Sequence, residues 1–156
     1  MREILFRGKR LDSGEWVQGA FIPDYTQNAF YITKVGECCH KVALETVGQY
    51  IGITDKNGRK IFEGDIFKFN DEVWESYYTS CGMEYDSWEV ENYGAIGFYE
   101  ETAKFDFRKY KFNENSVEAD LHENNTIEFA DFISELEIVG NIHDNPELLE
   151  GGTEHG

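Results

Sequence analysis

Alternating apolar and polar side chains dominate the first seventy residues and predict β-strands. Ile4 and Phe6 share one face of the first segment, and the alternation resumes over residues 15–23 after a turn. Further β-prone runs follow at residues 29–35, 45–54, 59–62 and 66–69, with glycine-containing corners between them. Short strands joined by tight corners predict a mainly β fold built around a small, strongly bent antiparallel β-barrel.

Two of these corners carry the strongest turn chemistry in the chain. Asn57-Gly58 lies between two β-prone runs, and this dipeptide suits both positive-φ positions of a type I′ hairpin. At Glu63-Gly64-Asp65, glycine relieves backbone strain, and the aspartate is expected to accept a hydrogen bond from a nearby backbone N–H. We therefore expect these five residues to form a structural turn motif.

The second half adds further strands and one or two short helices near the C-terminus. Residues 73–78, 88–99, 104–107 and 110–112 are predicted strands, and the polar stretch 113–125 is a predicted surface loop. Apolar residues recur at helical spacing over 126–134, a closing strand follows at 136–142, and Asn145-Pro146 predicts one further helical turn. We expect a single domain over residues 1–150 and a flexible tail over 151–156.

Charge divides the chain into two unequal halves. Residues 1–70 contain 10 Lys/Arg and 9 Asp/Glu, whereas residues 71–156 contain 4 Lys/Arg and 22 Asp/Glu, giving a total of −17. Phosphate backbones and anionic membranes repel such a surface, so nucleic acid is an unlikely partner, while basic protein surfaces remain plausible ones. There is no long apolar run, no signal-peptide pattern and no cysteine framework, which together predict a cytoplasmic protein that does not enter a membrane.

Clusters with the composition of a metal or catalytic site are few. Cys38-Cys39-His40 is the one cluster of soft ligands, but adjacent cysteines in an extended chain point to opposite sides, and nothing in the spacing recruits Cys81. His143 beside Asp144 resembles an oriented base, yet no motif ties a nucleophile to it. We therefore predict no metal and no cofactor.

An enzymatic alternative uses the Glu63 and Asp65 carboxylates for acid–base chemistry, and it needs both to open into one concave pocket. The competing interpretation is turn chemistry alone. Phosphate-binding glycine loops and zinc-protease motifs are absent from the sequence, which disfavours the commonest nucleotide and zinc chemistries but leaves other enzymes open. Since turn chemistry is the favoured interpretation of Glu63 and Asp65, the prediction is a protein without enzymatic activity and without catalytic residues.

Aromatic residues are more numerous than a small core requires. The chain contains 3 Trp, 9 Tyr and 12 Phe, and many of them lie in the acidic middle. Because aromatic side chains anchor protein interfaces, the surplus predicts self-assembly. The candidate interaction surface comprises Trp74, Tyr77, Tyr78, Trp88 and Tyr93.

A different alternative is a nucleic-acid-associated barrel. Small barrels bind single strands with aromatic side chains against the bases and cations along the backbone. The candidate face consists of the basic residues Arg2, Arg7, Lys56, Arg59 and Lys60. The aromatic residues Phe6, Tyr50 and Phe62 lie near them in the sequence.

Three segments carry a resemblance to a known family. They are Met1-Arg2-Glu3-Ile4-Leu5-Phe6-Arg7-Gly8 with Trp16-Val17-Gln18-Gly19, then Val47-Gly48-Gln49-Tyr50-Ile51-Gly52 with Ile61-Phe62-Glu63-Gly64-Asp65-Ile66, and finally Val139-Gly140-Asn141-Ile142-His143-Asp144-Asn145-Pro146. The chain resembles the YopX family of phage and prophage proteins over about residues 1–70 and 136–149. Residues 71–135 carry no motif of this family.

The resemblance implies an SH3-type β-barrel core, expression inside a bacterial host, and homo-oligomers. It implies no reaction. We therefore expect a non-enzymatic phage or prophage accessory protein that assembles with itself and docks on a host or phage protein, and the nucleic-acid-associated barrel is the alternative.

Overall fold

The computed structural model describes residues 3–34, 36–111, 129–150 and 153–154. The predicted loop at 113–125, the first residues of the predicted helix at 126–128, and Arg2 lie outside the described residues. Among the described residues, no helix is both long enough and apolar enough to span a membrane.

Six short strands form the first antiparallel sheet. In chain order they are β1 (Phe6–Lys9), β2 (Trp16–Asp24), β3 (Ala29–Thr33), β4 (His40–Lys41), β5 (Gly48–Thr54) and β6 (Lys60–Phe62). The strand order across the sheet is β4-β3-β2-β1-β5-β6, so β1 lies at the centre and pairs with both β2 and β5. A 3₁₀ helix at Leu44–Thr46 leads into β5. This sheet contains the strands predicted at 15–23, 29–35 and 59–62, and the one predicted at 45–54 from Gly48 onward, whereas the strand predicted at 66–69 lies in the second sheet.

Five strands form the second antiparallel sheet, in the order β10-β7-β8-β9-β11. They are β7 (Asp65–Thr79), β8 (Gly82–Tyr99), β9 (Lys104–Lys111), β10 (Glu137–Asn141) and β11 (Thr153–Glu154). Helix α1 (Phe129–Ser134) precedes β10, and a 3₁₀ helix at Pro146–Leu149 follows it. Thr153–Glu154, within the segment expected to be a flexible tail, pairs with β9.

The main core lies between the two sheets and helix α1. Ile61 from β6, Phe67 and Phe69 from β7, Ile96 from β8, and Ile133 from α1 form one buried cluster. The β5 residues Ile51 and Ile53 pack against it from the first sheet. A smaller cluster of Val17, Ile32 and Val42 lies within the first sheet. Burial of the first cluster therefore holds the sheets together, because apolar burial is the main favourable term in folding.

The fold is mainly β, as predicted, but the two sheets do not close into a barrel, and the SH3-type barrel is not confirmed. Within the described ranges, β4 and β6 are the two edges of the first sheet and do not pair with each other. The chain instead leaves β6 at the Glu63-Gly64-Asp65 corner and enters β7, which extends for 15 residues in the second sheet. A strand of this length pairs with β8 over its whole course, so the chain after the corner builds a second sheet.

The Asn57-Gly58 turn forms, but with a geometry different from type I′. Gly58 alone of the two has positive φ, at 78°, and its N–H donates to the carbonyl of Asp55. The Asp55 carboxylate then accepts the N–H groups of Asn57 and Arg59 through Oδ1, at 2.9 and 2.8 Å. These bonds describe a type I turn followed by a left-handed glycine, which removes the need for positive φ at Asn57.

This turn also joins the two sheets. Asp55 Oδ2 accepts the N–H of Ile138 on β10, and Arg59 donates to the Ile138 carbonyl at 3.2 Å. The Lys56 N–H donates to the carbonyl of Leu136. The edge of β10 is therefore covered by the turn of the first sheet, and such coverage protects an edge strand from pairing with other chains.

We predict that Asp55→Ala lowers the free energy of unfolding by about 2–4 kcal/mol, because it leaves the buried N–H of Ile138 and the N–H groups of Asn57 and Arg59 without their acceptor. Asp55 is 4% exposed, so water cannot replace the lost carboxylate. Urea denaturation measures the change. The control Asp12→Ala removes an exposed partner of Arg10 and is expected to cost less than about 1 kcal/mol. Equal losses in the two variants would contradict this role for Asp55.

Candidate functional sites: the sheet junction and the β7–β8 arm

The corner between the sheets is built around a buried ion pair. Arg7 Nη1 lies 2.6 Å from Asp65 Oδ1, and the two side chains are 12% and 2% exposed. Arg7 Nη2 also donates to the carbonyl of Glu63 at 3.0 Å. The guanidinium lies over the rings of Trp16 and Phe62, with its carbon 4.8 and 5.0 Å from their centroids. Arg7 is thus held by charge, hydrogen bonding and ring contacts together.

Neither carboxylate of the turn motif is arranged for acid–base catalysis. Asp65 Oδ2 accepts the N–H of Phe62 at 2.8 Å, and Glu63 Oε2 accepts the N–H of Gln49 at 2.8 Å. Burial raises the pKa of Asp65, although Arg7 and the Phe62 amide act in the opposite direction. Both side chains therefore cap backbone amides, which favours the turn-chemistry interpretation over the catalytic one.

A second polar cluster joins the end of β10 to the first sheet. Asp144 accepts hydrogen bonds from the Lys9 ammonium, from Trp16 Nε1 at 2.7 Å and from Asn141 Nδ2 at 2.8 Å. The hydrogen bond from Asn141, and then the one from Lys9, hold the pKa of Asp144 well below its ordinary value. Asp144 therefore stays ionised and clamps the C-terminal segment against β1 and β2.

His143 lies beside this clamp, with its ring centroid 5.9 Å from that of Trp16. Burial, and then the charges of Arg7 and Lys9, lower the pKa of His143, so its imidazole is neutral at pH 7. A cleft of about 200 Å³ opens here, with Glu45, Glu63 and Phe98 among the other residues that line it. No described Ser or Cys is hydrogen-bonded to His143. The interpretation of His143 as an oriented catalytic base is therefore not supported by a nucleophile among these residues.

The structure does not bring together the three cysteines that the sequence offered as metal ligands. Cys38, Cys39 and Cys81 are all exposed, with the first two after β3 and the third between β7 and β8. Over the described ranges, no group of three His, Cys, Asp or Glu side chains is placed to hold a metal ion.

The cations of the alternative nucleic-acid face are engaged with neighbouring groups. Arg7 is buried against Asp65, Lys56 pairs with Glu137 at 3.0 Å, and Lys60 pairs with Glu3 at 2.7 Å. Arg59 donates to a carbonyl of β10. Among these described residues, the positive charges therefore lie beside carboxylates or carbonyls and do not form an open basic surface.

The most prominent surface feature is a two-stranded arm, formed by residues 70–91 of β7 and β8. The two strands pair without interruption from Ile66↔Ala95 to Thr79↔Gly82, whereas β10 reaches only Lys68 and β9 reaches only Tyr93. Beyond those points the arm has no neighbouring strand among the described residues. Two-stranded hairpins are marginally stable on their own in water, so an arm of this kind suits a surface that is covered by a partner.

Toward the tip, the two faces of the arm differ in charge, whereas nearer the base Glu72, Glu89 and Glu91 lie on the same face as Trp74 and Tyr85. The pairing places Trp74, Ser76, Tyr78, Met83, Tyr85 and Ser87 on one face, and none of these side chains is charged. We call these six residues the outer patch. The four large ones are 62% (Trp74), 81% (Tyr78), 44% (Met83) and 63% (Tyr85) exposed. The opposite side, which we call the acidic face, carries Glu75, Tyr77, Glu84, Asp86 and Trp88.

The five residues of the candidate interaction surface therefore lie on more than one face. Trp74 and Tyr78 belong to the outer patch, whereas Tyr77 and Trp88 belong to the acidic face. Tyr93 lies at the base of the arm, opposite Lys68, and is only partly exposed. Met83 and Tyr85 were missed, although the alternation of Trp74, Ser76 and Tyr78, together with the Ser80-Cys81-Gly82 tip, was a signal for one continuous hairpin.

We predict that Arg7→Met lowers the free energy of unfolding by about 3–5 kcal/mol, because it leaves the buried Asp65 carboxylate without its partner. The double variant Arg7→Met/Asp65→Leu is expected to recover part of this loss, since it removes the uncompensated charge. Recovery is incomplete because the Phe62 N–H loses its acceptor. Urea denaturation of the three proteins measures this, and a double variant less stable than Arg7→Met contradicts it.

We also predict that Asp144→Asn lowers the free energy of unfolding at pH 7 by about 1 kcal/mol, a modest value because Asp144 is partly exposed and solvent screens its ion pair. A carboxylate whose folded pKa is depressed stabilises the fold above its unfolded pKa, near 4, and this contribution is lost as pH falls further. The difference between wild type and variant is therefore expected to shrink below about pH 4. Urea denaturation between pH 7 and 3 tests this, and a constant difference contradicts it.

Comparison with known proteins adds a family assignment. A family model described as YopX protein matches residues 6–150. No curated protein matches the chain. Among solved structures, the chain is similar to protein EF1440 from Enterococcus faecalis, with 19% identity, a TM-score of 0.48, and coverage of 96% of this chain and 100% of that one. Because the family match extends over nearly the whole sequence, including the corner, the clamp and the arm, this chain belongs to the YopX family.

Proposed function

We propose that this protein is a non-enzymatic accessory protein of phage or prophage origin, acting in the bacterial cytoplasm by binding other proteins. It assembles with itself and docks on a host or phage protein. The arm is the element that makes these contacts. The observation that carries the proposal is the outer patch, where four large apolar or aromatic side chains face solvent without a charge among them.

The composition of the outer patch is typical of a protein interface. Trp, Tyr and Met are enriched in interface cores, and contiguous exposed apolar patches mark sites of protein contact. The tyrosine hydroxyl of Tyr85 lies 3.0 Å from Met83 Sδ, so these two side chains form one continuous surface. Membership of the YopX family supplies no reaction that competes with this role.

A second copy of the chain is a suitable occupant of the outer patch. In a two-fold contact the same patch packs on itself, so a surface without charges meets no like charge at its centre. The carboxylates of the acidic face then stay in water, where salt screens their repulsion over about 8 Å. This arrangement allows a strongly acidic arm to associate with another acidic arm.

The size of the outer patch limits the strength of this contact. Three exposed aromatic side chains and one methionine offer about 450 Å² per chain, or about 900 Å² in a pair. This is below the roughly 1,200–2,000 Å² of stable specific interfaces and is typical of weak, reversible association. We therefore expect a monomer–dimer equilibrium with a dissociation constant on the order of micromolar, unless other surfaces add to it.

We predict that the triple variant Trp74→Ser/Tyr78→Ser/Tyr85→Ser weakens self-association by at least about tenfold, because it removes most of the apolar area of the patch. Sedimentation velocity over a range of concentrations measures the equilibrium. Tyr25→Ser is the matched control, since Tyr25 is 81% exposed but lies in the β2–β3 turn, away from the arm.

Two results would contradict the proposal. One is a wild-type protein that remains monomeric up to hundreds of micromolar. The other is self-association that the triple variant and Tyr25→Ser leave equally strong. Circular dichroism confirms that each variant keeps its β structure, so that a loss of association is not a loss of fold.

A further inference from the structure

The side chains of the acidic face are solvent-exposed in the part of the chain that the structure describes, and their composition differs from that of the outer patch. The same side of β7 carries Phe67 and Phe69 nearer the base, where Phe69 packs on Phe132 of helix α1 at 5.9 Å. Farther along the arm the side chains are solvent-exposed, including Tyr77 at 39% and Trp88 at 37%. This face therefore presents two aromatic rings between carboxylates, beyond the part that the core occupies.

No positive charge within the arm balances these carboxylates. Residues 70–91 contain seven Asp/Glu and no Lys or Arg. On the acidic face, Tyr77 donates to Glu84 at 3.4 Å. The charge of Asp86 is the largest of the influences that raise the pKa of Tyr77, and Glu84 and Glu75 act in the same direction. The carboxylates thus concentrate negative potential around one exposed ring.

We propose that the acidic face docks an extended segment of another protein that is rich in lysine or arginine. This inference deepens the proposed function and rests on it for the role of the arm as the contact element. The outer patch and the acidic face then serve different occupants, a second copy on one and a basic protein on the other.

The chemistry of the face suits such a segment. Trp and Tyr rings attract ammonium and guanidinium groups over their faces, and carboxylates beside the rings add charge-assisted hydrogen bonds. Side chains on one face of a strand repeat every two residues, about 6.6–7 Å apart. Alternate side chains of an extended peptide have the same spacing, so successive cations meet successive acidic or aromatic positions.

A second copy is a poor occupant of this face. Six lysines pair with carboxylates of their own chain, in Lys9–Asp144, Lys34–Glu37, Lys56–Glu137, Lys60–Glu3, Lys68–Glu91 and Lys104–Asp106. Another copy also carries a net charge of −17, so like charges oppose its approach to this face. Nucleic acid is excluded by the sign of its phosphates. Charge complementarity favours a foreign basic protein.

The test uses the full chain and a fluorescein-labelled synthetic peptide of six Lys-Ser repeats, with binding followed by fluorescence anisotropy at low salt. We expect Glu75→Gln/Glu84→Gln/Asp86→Asn to weaken binding by about tenfold or more, since it removes the three carboxylates that flank Tyr77 and Trp88 on the acidic face. The matched control is Glu72→Gln/Glu89→Gln/Glu91→Gln, which removes the same charge from the opposite side of the same arm. It is expected to weaken binding by no more than about threefold.

Equal weakening by the two triple variants would overturn the inference, because binding would then depend on net charge and not on one face. Absence of binding to the wild-type chain would overturn it as well. The outer-patch variant Trp74→Ser/Tyr78→Ser/Tyr85→Ser separates this result from the proposed self-assembly, since it is expected to lose association while keeping peptide binding. Lost peptide binding with intact self-association refutes only the inference, and the reverse result refutes only the self-assembly.

Discussion

The buried pair of Arg7 and Asp65 fixes the path of the chain between the two sheets. Asp65 begins β7 immediately after the glycine corner, and Arg7 lies on the central strand of the first sheet. Their contact holds the start of the long hairpin against that strand, while Glu63 and Asp65 bind backbone amides on either side of the corner. One oxygen of each carboxylate is therefore engaged by a backbone amide of the junction, as turn chemistry predicts.

The sheet junction fixes the base of the arm, and the arm continues beyond the neighbouring strands. Over the described residues, β10 and β9 pair with β7 and β8 only near the base, and the rest of the hairpin is a two-stranded ribbon. Toward its tip, alternation places uncharged aromatic side chains on one face and carboxylates on the other, so one thin element presents two different surfaces. A compact barrel would have buried one of these faces. The departure from a closed barrel is thus the feature that leaves side chains on both faces of the arm exposed to solvent.

The sequence predicted the first sheet well because its alternation is strict and its corners contain glycine. The arm was harder to predict because both of its faces are exposed, so apolar and polar positions do not separate into a buried and a solvated side. Asn70, Asp71 and Glu72 suggested an interruption, yet they continue β7 through pairing with β8. The contacts of Asp144 could not be predicted from the sequence either, since Lys9 and Trp16 are separated from it by more than a hundred residues. Such distant contacts leave no local pattern.

The long separation within that clamp also affects how the protein acquires its structure. A ribosome releases residues in order, and Lys9 and Trp16 emerge long before Asp144 exists. The first sheet therefore lacks the hydrogen bonds from Lys9 and Trp16 to Asp144 during most of synthesis. Strand pairing between distant segments is also intrinsically slow. Nascent chains with aromatic ribbons already exposed are vulnerable to premature contact during this interval. Residues 70–91 carry seven carboxylates and no lysine or arginine, so like-charge repulsion between neighbouring unfinished chains opposes such contact until the last strands arrive.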